Sequence, residues 1–145
     1  MPKRGSIVMK INHIGYVTRN LEAALHSFYL LGYKDMYDAP RIHEAKNLRT
    51  MRVNLGDSIA EVMAVNDTSK PSFIDPSFAT STENLIVNHI CYDVEDIHRS
   101  FKELLATGEY TVYEDITNGV FQKNLIGYLH HKSMGYIEFF EWPRE

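Results

Sequence analysis

Two stretches of the chain alternate apolar and polar residues in the same way and then change to a helical spacing. Each begins like a β-strand, with "INHIGYV" from Ile11 and "VNHICYDV" from Val87. A polar residue of the kind that caps helices follows, Asn20 or Asp96. The next apolar residues recur three or four positions apart: Leu21, Leu25 and Phe28 in one stretch, Ile97, Phe101 and Leu104 in the other. Each stretch therefore predicts a strand followed by an amphipathic helix.

Glycines and further strand-like runs follow both predicted helices. Gly32 and Gly108 stand where a helix is commonly ended by a residue in the left-handed conformation. After the first come "LRTMRVNLG" and "SIAEVMAV", with a turn at Gly56 and Asp57; after the second come "YTVYEDI", "NLIGYLHH" and "GYIEFFEW". A further strand in "KDMYDAPRI" is interrupted by Pro40. Each half is thus predicted to be β-α-β-β-β, which makes the chain an α+β protein.

The two halves are an internal repeat. Asn12, His13, Ile14 and Tyr16 align with Asn88, His89, Ile90 and Tyr92, at an offset of 89 − 13 = 76 residues. Residues 1–145 are predicted to form a single domain, with one module at about 9–66, a connector at about 67–85 and a second module at about 86–143. The connector is polar and contains Pro71 and Pro76, so no regular element is predicted there. Modules this short are marginal alone, so they are expected to pack together or with a second chain.

Composition and charge narrow the classes of function. The formal charge is −4, and no Lys/Arg cluster exceeds the terminal pair Lys3 and Arg4, which argues against a nucleic-acid partner. No run approaches the roughly 20 apolar residues of a membrane span, and the first residues lack the apolar centre of a signal peptide. The one cysteine, Cys91, cannot form an internal disulfide and suits a reducing compartment. We therefore expect a cytoplasmic protein that neither binds nucleic acid nor enters a membrane.

Glu61 and Glu138 are unexpected because apolar residues surround both of them in predicted strands. Burying a carboxylate without a partner costs several kcal/mol. The alternative is that each glutamate is exposed to solvent at a sheet edge, which is the usual environment of a glutamate in a strand. The repeat favours a shared role. His13 precedes Glu61 by 61 − 13 = 48 residues, and His89 precedes Glu138 by 138 − 89 = 49 residues.

A divalent cation would explain why this histidine and glutamate pair is repeated. A single histidine in a buried strand is more often a core residue than a ligand, but two in matching places, each with a matching carboxylate, favour ligation. Two neutral imidazoles and two carboxylates carry a formal charge of −2, and this nitrogen and oxygen donor set suits Zn, Mn, Fe, Co or Ni. We predict that each half donates one histidine and one glutamate to the same ion, with coordination positions left for substrate oxygens.

Four motifs carry a family resemblance that extends from Ile11 to about Trp142: "INHIGYVTRNLEAALHSFYLLGY", "VNLGDSIAEVM", "VNHICYDVEDI" and "LHHKSMGYIEFFE". Together with the two pairs, they resemble the vicinal oxygen chelate superfamily, which includes glyoxalase I, methylmalonyl-CoA epimerase, extradiol dioxygenases and the bleomycin- and fosfomycin-resistance proteins. The epimerase branch is the most similar. "VNLGDSIAEVM" resembles its "VNLG(D/N)TxxEL", and "LHHKSMG" resembles its "LHPKxxG".

The resemblance implies a fold, a cofactor and a ligand set. The fold is a pair of βαβββ modules forming a cup-shaped mixed sheet around one divalent ion, which can be Zn, Co, Ni, Mn, Fe or Mg, and a homodimer is implied. The matching metal ligands are His13, Glu61, His89 and Glu138. Only two residues separate Gly135 from Glu138, a shorter gap than in the epimerases, so Glu141 remains an alternative ligand even though it has the opposite strand parity.

The reaction implied by the resemblance is proton transfer at a carbon next to a carbonyl, through a metal-stabilised enediolate. Glu44 is the nearest match to the general base that epimerases place before the "VNLG" strand, and it could equally be a solvated loop residue. In glyoxalase-like members a ligand carboxylate is the base, which would be Glu61 or Glu138. The predicted function is a metal-dependent isomerase, epimerase or lyase for an acyl-CoA or a 2-oxo compound.

Three other functions remain open. A metal-free binding protein of the bleomycin-resistance type would retain the fold but has little use for four ligands. An iron dioxygenase would use two histidines and one carboxylate, whereas four protein ligands leave less room for oxygen and substrate. Fosfomycin-type transfer chemistry uses three ligands. Metal content distinguishes the first of these from the leading prediction.

Overall fold

The computed structural model describes residues 8–119 and 123–143. In this part of the chain the elements are β1 (Val8–Thr18), α1 (Leu21–Leu30), β2 (Lys34–Asp35), β3 (Arg41–His43), β4 (Leu48–Leu55), β5 (Ser58–Val65), α2 (Asp75–Phe78), β6 (Leu85–Val94), α3 (Ile97–Ala106), β7 (Tyr110–Asn118), β8 (Leu125–His131) and β9 (Gly135–Glu141). They fall into two compact units. The first unit is His13–Asn88, and the second comprises the residues on either side of it. Helices within the described ranges are all too short or too polar to cross a membrane.

The sheet of the first unit has the strand order β2-β4-β5-β1, with β3 also paired to β4. β1 and β5 are parallel and place Gly15 opposite Glu61, whereas β4 and β5 are antiparallel and place Arg52 opposite the same glutamate. One face of β5 packs against α1 through Ala60 and Val62. Because side chains alternate along a strand, Glu61 projects from the other face.

The second unit repeats this arrangement with the strand order β6-β9-β8-β7. β6 and β9 are parallel and place Cys91 opposite Glu138, and β8 and β9 are antiparallel and place Tyr128 opposite Glu138. Helix α3 contributes Ile97 and Phe101 to the core of this unit. Each unit is therefore a mixed sheet with a helix on one face, and the predicted tandem βαβββ fold is confirmed.

Both main helices begin and end where the sequence predicts. The Asn20 side chain accepts a hydrogen bond from the backbone N of Ala23 at 3.0 Å, and the Asp96 side chain accepts one from Arg99 N at 3.1 Å. These contacts satisfy donors that the first helical turn leaves unpaired. The glycines that follow have φ values of 103° at position 32 and 78° at position 108, the left-handed conformation expected after a helix end.

The structure differs from the prediction in the segment around Pro40. Instead of one strand, "KDMYDAPRI" contains the short strands β2 and β3, both antiparallel to β4. Proline has no backbone N–H to donate to a sheet and a fixed φ, so the chain leaves the sheet edge between the two strands.

The connector is also more ordered than predicted. Residues 75–78 form the short helix α2, so the prediction that this segment contains no regular element is wrong. Ile74 is only 1% exposed and packs with Val17, Leu48 and Met63 in a second apolar cluster of the first unit. A few apolar side chains in a mostly polar segment were enough to hold it against the sheet, which periodicity over so short a length does not reveal.

Asn47 fixes the turn that leads into β4. Its φ is 55°, a left-handed conformation that costs most residues energy but that asparagine tolerates. Its side-chain amide donates to three backbone carbonyls of the connector, those of Asp67, Lys70 and Pro71, at 2.9 to 3.1 Å. The same side chain accepts a hydrogen bond from Asp67 N at 2.9 Å. One residue thus joins the turn to the connector.

Replacing Asn47 by alanine is expected to lower the free energy of unfolding by about 2 kcal/mol, because it loses these hydrogen bonds and retains the strained φ. Asn47→Gly loses the same bonds without the strain, so its loss should be smaller. Urea denaturation measures both, with Thr68→Ala at an exposed neighbouring position as the control. Equal losses for the alanine and glycine variants would show that the backbone conformation contributes nothing.

Candidate metal centre

In the first unit, β1 and β5 bring His13 and Glu61 together. His13 Nε2 lies 3.6 Å from Glu61 Oε1, and the two side chains are 1% and 13% exposed. Gly15, two residues along β1, is the residue paired with Glu61. Because alternate residues of a strand share a face, this pairing puts His13 on the face to which Glu61 points.

Glu61 has a second partner on the neighbouring strand. Arg52 Nε donates to Glu61 Oε2 at 3.0 Å, so each carboxylate oxygen of Glu61 faces a different residue. The backbone of Arg52 is fixed as well, since its N–H donates to the Tyr37 hydroxyl at 2.9 Å. Burial, and after it the negative charge of Glu61, raises the pKa of Tyr37, so this hydroxyl stays protonated.

In the second unit, β6 and β9 form the equivalent contact. His89 Nε2 lies 3.1 Å from Glu138 Oε1, and both side chains are buried, at 0% and 9% exposure. The Tyr128 ring, on β8 opposite Glu138, meets the His89 ring edge to face with centroids 5.4 Å apart. The sequence predicted both pairs, and each unit contains one of them.

The asparagines that precede the two histidines are hydrogen-bonded differently. Asn12 donates to Asp93 Oδ1 at 2.8 Å, in the second unit. Asn88 donates to the Ser77 hydroxyl at 2.6 Å, in the first unit, and so connects β6 to the segment around α2. Each bond fixes a strand one residue before the histidine it presents, which limits the movement of the imidazole.

Glu141, the alternative to Glu138, has a different structural role. Its Oε1 accepts a hydrogen bond from the backbone N of Ile97 at 3.0 Å, at the first residue of α3. A carboxylate there satisfies an otherwise unpaired donor and interacts favourably with the helix dipole. Glu138 contacts His89, whereas Glu141 caps a helix, as its opposite strand parity requires.

Glu44 lies in the turn between β3 and β4, where its side chain is exposed. Its backbone carbonyl accepts a hydrogen bond from Asn47 N at 3.1 Å, so the turn that positions Glu44 is the one that Asn47 holds. The structure therefore gives Glu44 a defined backbone position and an exposed carboxylate. Its predicted role as a base stays a prediction.

The donor atoms of the two pairs fit a divalent cation. Each pair presents an imidazole Nε2 and a carboxylate oxygen, and neutral imidazole with carboxylate is a donor set that such ions bind. Both histidines are buried, which limits competition from water for the same donor atoms. The chain thus has a possible site of histidine and glutamate for a metal ion.

Two residues beside the pairs were missed by the sequence analysis. Arg52 and Tyr128 stand opposite Glu61 and Glu138 in the antiparallel strand pairs, and their separation, 128 − 52 = 76, equals the offset between His13 and His89. The repeat offset could have identified them. However, one copy has an arginine at this position and the other has a tyrosine, so a comparison of residue types does not align them. The strand register showed that the two positions correspond.

Comparison with known sequences identifies a family. The sequence profile described as the Glyoxalase/Bleomycin resistance protein/Dioxygenase superfamily matches residues 12–128. No curated protein sequence matches the chain.

Solved structures share the fold over nearly the whole chain. Methylmalonyl-CoA epimerase from Mycobacterium tuberculosis is 20% identical, with a TM-score of 0.75, over 98% of this chain and 93% of the epimerase. The hypothetical protein BH1468 from Bacillus halodurans C-125 is 19% identical, with a TM-score of 0.74, over 94% and 96%. A variant of Streptomyces coelicolor methylmalonyl-CoA epimerase, in complex with 2-nitronate-propionyl-CoA, is 18% identical, with a TM-score of 0.74, over 92% and 94%. At such identities the likeness concerns the fold, and with the profile match it shows that the chain belongs to the glyoxalase/bleomycin resistance protein/dioxygenase superfamily.

Proposed function

We propose that the protein is a metal-dependent isomerase, of the epimerase type, that moves a proton at a carbon next to a carbonyl. The observation that carries the proposal is the repeated contact of a buried imidazole with a strand glutamate, His13 with Glu61 and His89 with Glu138. A purely structural role would not require the same costly pair in both copies of the repeat. Family membership adds a fold whose members commonly use such a set.

In this proposal the four residues hold one divalent cation jointly. Such an ion, when bound, supplies positive charge where an enolate oxygen becomes negative. Glu61 would use Oε1, the oxygen that faces His13, and would keep Oε2 on Arg52. Tyr128 would hold the ring of His89 in place through their edge-to-face contact.

In this proposal, a carboxylate of this chain removes the proton as the general base. Glu44 is our first candidate, because its side chain is exposed at a turn with a fixed backbone and because it is the nearest match to the epimerase base, displaced by about one position. The carboxylate oxygen would take the proton from one face of the substrate carbon. In an epimerase, a second acid would then deliver a proton to the opposite face of the same carbon, which inverts the centre, whereas in other isomerases the proton would be delivered to a different atom and the double bond moves. If Glu44 is not the base, Glu61 or Glu138 takes both roles, as in glyoxalase-like lyases.

The substrate class follows from the relatives and not from the chain alone. Solved relatives include methylmalonyl-CoA epimerase in complex with methylmalonyl-CoA and NH4+, and the complex with 2-nitronate-propionyl-CoA. We therefore propose an acyl-CoA or a related 2-oxo compound as the small-molecule substrate. The homodimer implied by the family resemblance is part of the proposal and can be checked by sedimentation.

The decisive experiment is deuterium exchange from heavy water into candidate CoA thioesters and 2-oxo acids, followed by NMR, after elemental analysis of the purified protein. We expect a divalent ion and exchange at the carbon next to the carbonyl. Metal without exchange in any candidate would exclude this reaction on those compounds. Failure of the protein to hold or take up any divalent ion would favour the metal-free binding protein.

Glu44→Gln separates the two candidate bases. If Glu44 is the base, this variant should retain its metal and lose about 100-fold or more of the exchange rate. Glu83→Gln, at an exposed position of the connector, is the control and should exchange like the wild type. Undiminished exchange in Glu44→Gln would transfer the role to a ligand carboxylate.

A further inference from the structure

We propose that Arg52 makes the metal centre select an anionic ligand, by placing a fixed positive charge beside Glu61. This inference rests on the proposed function and adds the charge of the substrate to it. It predicts that the compound bound there carries a carboxylate or binds as an enolate, and that a neutral compound is bound less well.

The position of Arg52 is the first support. Its guanidinium is bound to Glu61 through Nε at 3.0 Å, and Glu61 in turn faces His13, so the charge contacts one candidate ligand directly and lies one residue away from a second. The side chain is 25% exposed, compared with 13% for Glu61. It is therefore sheltered enough for its charge to be weakly screened by water, and open enough for a small ligand to reach it.

The backbone around Arg52 is held from two sides, which fixes the charge in place. Its N–H donates to the Tyr37 hydroxyl at 2.9 Å, and its carbonyl accepts from Met36 N at 3.0 Å. The Tyr37 ring is itself covered by the guanidinium of Arg41, at 4.0 Å from the ring centroid. A charge that is fixed before binding needs little reorganisation when a ligand arrives, which is the property that makes such groups effective.

The internal repeat supplies the comparison that separates this role from a structural one. Tyr128 occupies the position in the second unit that Arg52 occupies in the first, opposite the other candidate ligand carboxylate. It is a neutral residue, 4% exposed. An arginine is therefore not a requirement of the fold at this place, because the duplicated architecture forms with a tyrosine there.

A charge count gives the sign of the preferred ligand. Glu61 and Glu138 contribute −2, a divalent ion contributes +2, and the two histidines are neutral as ligands. The guanidinium of Arg52 then leaves the centre with a net charge of +1. An anion neutralises this charge, whereas a neutral ligand leaves it uncompensated in a partly buried place, where uncompensated charge is unfavourable. Arginine also matches the geometry of carboxylate oxygens.

Oxalate is a suitable probe, because its two adjacent carboxylates resemble an enediolate in shape and charge. The protein is first titrated with Co²⁺, whose visible absorption reports the ligands, and oxalate is then added while the spectrum is followed. We expect Arg52→Gln to bind Co²⁺ at least as tightly as the wild type, since a positive neighbour has been removed, but to bind oxalate about tenfold to a hundredfold more weakly. Arg52→Lys should recover most of the oxalate affinity.

Arg49→Gln is the matched control, because this arginine of the same strand pairs with Glu22 at 3.4 Å instead of with Glu61. It should bind oxalate like the wild type. If Arg52→Gln holds Co²⁺ and binds oxalate with unchanged affinity, Arg52 only neutralises Glu61 and the inference is wrong, while the proposed function stands. If Arg52→Gln loses Co²⁺, Arg52 acts by placing Glu61, and the ligand-charge role is again excluded. If the wild-type protein takes up no Co²⁺, the proposed function fails and the inference fails with it.

Discussion

Replacing His89 by alanine is expected to lower the affinity for a divalent cation by about 100-fold or more, and to remove proton exchange with it. Alterations of residues that merely support metal ligands commonly cost 10- to 100-fold, so loss of a ligand should cost at least as much. The histidine is buried and its Nε2 lies 3.1 Å from Glu138 Oε1, so no surface residue can replace it without a rearrangement of the sheet. Titration with Co²⁺, checked by elemental analysis, measures the loss.

His98→Ala is the control for this variant, because His98 is an exposed residue of α3. It should keep the metal affinity of the wild type. Thermal denaturation of all proteins without metal distinguishes a lost ligand from a lost fold. Full metal content in a folded His89→Ala protein would show that the candidate metal centre is assigned wrongly, and the proposed function would have to be abandoned with it.

Replacing Phe139 by alanine should have the largest effect on stability, a loss of about 3–5 kcal/mol in the free energy of unfolding. Phe139 is 2% exposed, and its ring lies 5.7 Å from that of Phe101, so β9 and α3 meet at this side chain. Alanine leaves a cavity that the close-packed neighbours fill only in part. Because single domains are stable by about 5–15 kcal/mol in total, the loss is a large fraction of the whole.

Urea denaturation measures this effect. Trp142→Ala is the control, because Trp142 is an aromatic residue directly after the end of β9. Trp142 is 47% exposed, so its loss should cost only about 1 kcal/mol. Similar losses for the two variants would mean that the core of the second unit is not centred on Phe139. Since Phe139 lies next to Glu138, the Co²⁺ titration of the same variant also reports whether the ligand position depends on that core.

Much of the fold was predictable because its signals are local and occur twice. The caps Asn20 and Asp96, the glycines after each helix and the apolar stripe of α1 all act within a few residues of where they stand. Because the same signals occur in both copies, each prediction is supported twice. The short strands around Pro40 and the helix α2 have no second copy and too few residues to show a period, so they were not resolved.

The candidate metal centre was predictable only in part. His13, Glu61, His89 and Glu138 could be identified because a carboxylate in an apolar strand is costly, and a repeated cost indicates a repeated use. The structure adds the contact within each predicted pair, at 3.6 Å between His13 and Glu61 and at 3.1 Å between His89 and Glu138. The sequence left Glu141 open as an alternative, and its hydrogen bond with Ile97 N could not be predicted because it joins residues 44 positions apart.

The sequence by itself determined that the chain is a duplicated βαβββ protein with one matching histidine and glutamate pair in each copy. Periodicity and capping depend on residues that are neighbours in the sequence, and repetition depends on a fixed offset between positions. All three can therefore be recognised in the sequence without a structure. Only the tertiary structure decided that Arg52 is bound to Glu61, that Tyr128 contacts His89 and that Glu141 caps α3. These depend on which strands pair and in which register, and a shift of one residue in a strand would turn each side chain to the opposite face of its sheet.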